Sequence, residues 1–203
     1  MQLTVVGQDP SLRHWGIAKG LYDTVTGKLK ILDLSVTEPV LSKSKQVRQN
    51  SLDLEAAKQL CEAALLAAKT AHAVFVEVPV GSQSARAMAS YGVCVGVLGA
   101  IRASGIPLFE VSPMEVKRAG AGTSTASKME MIEWAVSKHP EADWPRYSHK
   151  GEVRMSASKA EHQADAIAAI YAGLLSNPFK QMLLLLEGAN LQGKYHANTT
   201  KAT

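Results

Sequence analysis

The apolar positions of the chain follow two rhythms. Residues 3–6 (Leu-Thr-Val-Val) and 73–76 (Ala-Val-Phe-Val) are short, nearly unbroken apolar runs, the pattern of strands covered on both faces. Each run leads to a carboxylate, Asp9 and Glu77, and each is then stopped by a proline, Pro10 and Pro79, which has no N–H to give to a sheet. Residues 16–23 and 28–35 are two more strand-like runs, and the polar stretch 24–27, ending in Gly27, joins them as a hairpin. The sheet therefore opens antiparallel, and residues 107–111 add another short strand. The second rhythm is helical. Leu52, Ala56, Leu60, Ala63, Ala64 and Ala67 recur within 51–70 at the spacing of an amphipathic helix lying on the sheet. Helices are also expected over 85–103, behind the capping residues Ser82 and Ser84, over about 127–138, and over 158–175. The stretch 38–50 is polar and reads as a solvated loop, and 112–117 opens a turn. The leucine run 183–186 predicts one more short helix, and 188–203 a polar tail expected to be disordered.

Composition narrows the class. At 203 residues and 46% hydrophobic content, the chain is expected to form one domain over 1–187, long enough to bury a core. No run approaches the roughly 18 apolar residues of a membrane span, and no basic segment followed by a long apolar one stands at the start, so neither a membrane partner nor a signal peptide is expected. The expected location is the cytoplasm, that of the host cell if the chain is phage-encoded. Cys61 and Cys94 lie far apart in helix-like segments and read as buried thiols, not as a disulfide framework or a zinc site. A formal net charge of +4 is compatible with a polyanionic partner.

The candidate chemistry is acidic. Asp9 and Glu77 share the same placement at a strand end, and the helix over 158–175 carries Glu161, His162 and Asp165 in its first turns. Residues three and four apart share a helical face, so Asp165 can point with either His162 or Glu161. Ala168 and Ala169 would let that helix lie close to the strand ends. Three or four oxygen or imidazole donors then converge. Such donors suit Mg²⁺ or Mn²⁺, and two such ions about 3.5–4 Å apart can activate a water and stabilise the leaving oxygen of a phosphodiester.

Other segments bear on a partner. Gly92, Gly96 and Gly99 weaken the helix over 85–103 and are best explained by close approach of another backbone, either the sheet or the same helix of a second subunit. The loose stretch 120–128, flanked by Lys117, Arg118 and Lys128, can hold a phosphate or serve as a plain connector. It lacks the G-x-x-x-x-G-K-[ST] spacing of a nucleotide loop. Between 139 and 158, Arg146, Lys150 and Arg154 alternate with Trp144, Tyr147 and His149, a mixture that suits nucleic acid because aromatics stack on bases while cations meet phosphates.

Taken in order, Val6-Gly7-Gln8-Asp9-Pro10-Ser11 with Gly16, Val76-Glu77-Val78-Pro79, Ser112-Pro113-Met114-Glu115-Val116-Lys117, Ser127-Lys128 and His162-Gln163-Ala164-Asp165-Ala166 resemble the RuvC family of Holliday junction resolvases, within the ribonuclease H-like superfamily. The agreement in order and interval covers most of 1–175. The resemblance implies an α/β fold with a five-stranded mixed sheet flanked by helices, a homodimer, and paired Mg²⁺-dependent nicks in four-way or otherwise branched DNA. It implies two metal ions per site, with Mn²⁺ substituting for Mg²⁺. Asp9, Glu77, His162 and Asp165 would be the ligands, with Glu161 as the alternative to His162. Lys117 and Lys128 would lie near the scissile phosphate, and Arg118, Arg146, Lys150 and Arg154 would add to the DNA surface. Two departures fit a divergent member, such as a phage-type one: Val80 stands where the family commonly carries an aromatic residue, and the segment between Lys138 and Ser158 is longer than usual.

Two rival classes share parts of this pattern. An actin-like or sugar-kinase-like nucleotide binder also begins with a strand ending in aspartate, but needs two such domains and about twice this length. A catalytically inert DNA-binding module would keep the basic surface and cut nothing.

Overall fold

A computed structural model describes residues 1–199, with side chains as far as residue 188. The first apolar run becomes β1 (Gln2–Asp9), followed by β2 (Trp15–Asp23), β3 (Leu29–Thr37), β4 (Ala73–Glu77) and β5 (Leu108–Val111). The five strands form one sheet in the order β3-β2-β1-β4-β5. β1 pairs antiparallel with β2 and parallel with β4, so the sheet is mixed and β1 lies at its centre. That position explains its composition. Leu3 and Val5 pack on one face with Ala73 and Phe75, while Val6 packs on the other with Val74 and Val76. With both faces covered, the strands need few polar positions.

Helices α1 (Gln49–Ala68) and α2 (Ala85–Ala103) cover one face through Ala56, Leu60, Ala64, Cys94, Leu98 and Ile101. The opposite face carries α3 (Pro113–Ala119), α4 (Lys128–Lys138), α5 (Ala157–Leu175) and α6 (Asn177–Thr199). Phe179 of α6 is fully buried against Phe75 and Phe109. Among the described residues no helix is long and apolar enough to cross a membrane.

The segment 112–117 is a helix rather than a turn. Ser112 and Glu115 form a reciprocal capping box with Pro113 in the first turn, so the orphan N–H groups of a short helix are satisfied by the sequence itself. Ser127 and Glu130 start α4 in the same way. The irregular stretch expected over 139–158 contains an antiparallel hairpin, β6 (Arg146–His149) and β7 (Glu152–Met155). Its turn is made by Lys150 and Gly151, both at positive φ, the conformation that two-residue hairpin turns favour. The short helix expected at 183–186 is part of the longer α6, whose backbone stays helical through residue 188 to Thr199. Residues 200–203 lie outside the described residues.

Close backbone approach is used at the strands, not on α2. A Cβ added to Gly7 would run into the carbonyl oxygen of Ala166, and one added to Gly16 into that of His162. At Gly173 it would strike the ring of Phe75. Three glycines thus let α5 lie directly on β1, β2 and β4. Ala168 and Ala169 are buried in a cluster with Val111, Val116, Ala126 and Met131, and Val111 pairs with Glu77 at the end of β4. A Cβ at Gly92, Gly96 or Gly99 meets nothing within 4 Å, so the sheet is not what those glycines accommodate.

Gly16→Ala is expected to lower the unfolding free energy by about 3 kcal/mol, because the clash is with backbone and must displace α5. Urea unfolding checks this; a loss smaller than about 1 kcal/mol would show that α5 can shift at little cost.

Candidate active site

Alternation along the strands aims the carboxylates. Gln8 is fully buried on the α1 face, where its Nε2 donates to the carbonyl of Ala64 (3.3 Å) and its Oε1 accepts from the Trp15 indole (3.2 Å). Its neighbour Asp9 must therefore point to the opposite face, where α5 lies. The same rule applies to β4: Val76 packs toward α1 and α2, so Glu77 points toward α5. Because Gln8 pairs with Val76 in parallel register, Asp9 and Glu77 end neighbouring strands side by side. From above, α5 supplies His162 and Asp165, and the Nδ1 of His162 lies 2.6 Å from Oδ2 of Asp9.

The electrostatics follow from that crowding. Burial, followed by the charge of Asp9, pushes the Glu77 carboxyl up to about 7, with Lys117 pulling the other way. Burial and then the charges of Asp9, Glu77 and Glu161 push Asp165 up to about 8, opposed by His162. The His162 imidazole is raised, chiefly by its hydrogen bond with Asp9. Crowded acids of this kind cluster at functional sites.

The structure separates the remaining candidates. Glu161 pairs with Lys128 (2.6 Å), which brings Lys128 to the rim of the acidic group, while Lys117 on α3 lies close enough to Glu77 to act on it. Arg146 stands at the base of the hairpin beside a pocket of about 410 Å³ that it shares with Lys159 and Gln163 of α5. Arg118 sits on α3, and Lys150 and Arg154 on the exposed hairpin; Arg154 pairs with Glu152 (2.6 Å). Among the described residues no contact joins these three to the carboxylates.

Sequence reasoning missed His14, whose ring stacks on that of His162, and Glu38, which bonds Lys159 of α5 (2.7 Å). It also missed what Gly7 and Gly16 do. A glycine inside an apolar strand signals close backbone approach, and that signal was present at both positions.

The donor set fits a hard divalent cation: three carboxylates held together against their own repulsion, with one imidazole. As the side chains stand, Asp9 is turned onto His162, and no group of three or more His, Cys, Asp and Glu among the described residues is gathered closely enough to hold an ion. Binding would require His162 neutral and Asp9 released from it.

Glu77 and Asp165 bind a proton more tightly folded than unfolded, so the stability this contributes is complete at low pH and is lost as pH rises through their folded values of about 7 and about 8. His162 acts with the same sign. In chelator, the unfolding free energy should therefore fall from about pH 4.5, where the unfolded carboxyls have lost their protons, to about pH 8, by up to about 1.4 kcal/mol per pH unit for each group. Asp165→Asn should flatten the slope. Urea unfolding across that window measures it, and a stability that rises with pH would contradict the assignment.

No protein-family model matches the sequence, and no curated protein matches it. Solved structures do. Thermus thermophilus RuvC in complex with a Holliday junction substrate matches with a TM-score of 0.59 at 22% identity, over 84% of this chain and 92% of that one. A second Thermus thermophilus RuvC structure gives 0.58 at 23% identity over the same shares. The yeast mitochondrial Holliday junction resolvase Ydc2 gives 0.50 at 17%, over 88% of this chain and 85% of that one. At these identities the likeness is one of fold, and the chain has the ribonuclease H-like fold of RuvC.

Proposed function

We propose that this chain is a metal-dependent endonuclease that cuts branched DNA, four-way junctions foremost, in the resolution of recombination, repair or replication intermediates. The observation that carries this reading is the gathering of Asp9, Glu77 and Asp165 with His162 at one end of the sheet, Glu77 being raised by burial and Asp9, and Asp165 by burial, Asp9 and Glu77. The fold shared with a resolvase solved on a Holliday junction adds support.

In this reading Asp9, Glu77, Asp165 and His162 hold two Mg²⁺ or Mn²⁺ ions. Ions held by these residues would supply activation of the attacking water and counter-charge for the leaving oxygen. His162 is preferred over Glu161 because it faces Asp9, whereas Glu161 is engaged by Lys128. Lys117, which acts on Glu77, and Lys128, at the rim beside Glu161, orient the scissile phosphate as point charges. Arg118 and the hairpin residues Arg146, Lys150 and Arg154 add sequence-independent contacts to the backbone of the arms.

Symmetric cutting calls for two copies. Gly92, Gly96 and Gly99 face open space, and beside them α1 and α2 form an apolar groove of about 620 Å³ lined by Leu54, Ala57, Cys61, Val93 and Val97. An open small-residue face beside an apolar groove is a surface that a second copy of the chain could cover about a two-fold axis, and this supports a homodimer.

Asp9→Asn and Asp165→Asn should each cut a labelled four-way junction at least about 10²-fold more slowly, because Asn keeps the size of Asp and removes the charge that holds an ion. Gel shifts should show binding intact or tighter, falling steeply with salt as in the wild type. Wild-type cutting rates in Asp9→Asn would remove Asp9 from the site, and binding without cutting by the wild type would leave an inert DNA-binding module. Gly96→Leu should convert the dimer to monomer in sedimentation at micromolar concentration; a wild type that is monomeric with and without DNA refutes the dimer.

A further inference from the structure

The loop between β1 and β2 places one residue on the site from a side that the ligand set does not cover. Trp15 is fully buried, its indole held by Gln8 on the α1 face. His14, immediately before it, is consequently turned the other way, toward α5. Its ring lies almost parallel to that of His162, at 12° and a centroid separation of 5.3 Å, an offset stack. The Nε2 of His14 is 3.4 Å from Oε1 of Glu38, just beyond β3. The other oxygen of Glu38 accepts from Nζ of Lys159 at 2.7 Å. Lys159 and His162 are three residues apart and share a face of α5. The contacts therefore close a ring, from α5 through His162, His14, Glu38 and Lys159 back to α5.

We propose that His14 is a positioning residue that fixes the plane of the His162 imidazole, so that Nδ1 stays directed into the acidic group whether or not Asp9 is bonded to it. The proposal rests on the reading of His162 as part of the active site. The reason is geometric. The last torsion of a histidine side chain is broad and nearly two-fold, and the bond to Asp9 restrains one edge of the ring only. A face contact restrains the plane, and the two together leave one orientation. The Glu38 and Lys159 contacts hold His14 over α5. The groups that face the pair are Asp9, Glu38, Lys159, Glu161 and Asp165, and none of them touches the free face of His162 as His14 does. Support of this kind differs from ligation: in a stack His14 contributes its face, not a lone pair.

The side chain of His14 is 41% exposed, so truncating it leaves no buried cavity, and thermal melting should confirm the fold in every variant. The experiment compares wild type, His14→Ala, His14→Phe and His162→Ala by three readouts: ¹⁵N shifts of the His162 imidazole without metal, Mn²⁺ affinity by calorimetry, and kcat and KM on a four-way junction. His14→Ala should average the two His162 nitrogens toward a tautomer mixture. It should also weaken Mn²⁺ binding and lower kcat about tenfold, the size seen when a residue orienting a metal ligand is lost, while KM for DNA stays put. His14→Phe keeps a flat ring and should recover most of each loss. His14→Ala matching the wild type in all three readouts overturns the proposal, as does His14→Phe falling as low as His14→Ala. A fully active His162→Ala with unchanged Mn²⁺ affinity would overturn instead the reading of His162 on which the proposal rests.

Discussion

The backbone-to-backbone contact between α5 and the two strands β1 and β2 is the constraint on which the rest of the structure depends. Only glycine at 7 and 16 allows the carbonyls of Ala166 and His162 to lie where they do. Remove that closeness and the acids on α5 no longer reach the acids at the strand ends. The other devices act around this contact. Gln8 and Trp15 lock the end of β1 from the α1 face, two capping boxes start the helices that carry Lys117 and Lys128, and Phe179 anchors α6 beneath.

The site works against the stability of the fold that builds it. Three carboxylates share one partly buried region, and the raised Glu77 and Asp165 carboxyls record the cost in proton affinity. A structure indifferent to function would relieve this by replacing one acid or by aiming a lysine at it. Here Lys117 pulls the Glu77 carboxyl down without cancelling the rise, and Lys128 is paired with Glu161 at the rim. The apolar packing of α5, with Ala160, Ala164, Ile167 and Ile170 fully buried, is what tolerates the repulsion. Functional sites commonly keep such local destabilisation, offset by packing elsewhere.

The strands, the long helices and the acids were legible because each leaves a periodic or terminal mark: an apolar run ending in Asp9 or Glu77, or a three-residue interval between His162 and Asp165. The α3 helix was missed although S-x-x-E is written at Ser112, because seven residues are too few for a hydrophobic period to show. The hairpin at 146–155 was missed because its eight strand residues are all exposed and carry no buried alternation. Close approach was expected at Gly92, Gly96 and Gly99, where the helical context made glycine conspicuous, and was found at Gly7 and Gly16, which an apolar strand conceals. His14 left no trace in sequence. A stack between residues 14 and 162 is a product of tertiary structure alone.

The distance in sequence between the parts of the site has a further consequence. Asp9 is bonded to a residue 153 positions downstream, and α5 is among the last elements of the chain. During synthesis at about 5–20 residues per second, the sheet and its α1–α2 layer emerge well before α5 does. Until then the face of β1 that carries Asp9 is uncovered and the acidic group has only two of its members. A chain that has not yet extended through α5 thus holds Asp9 and Glu77 without His162 and Asp165, and the centre is assembled only when α5 folds onto the sheet.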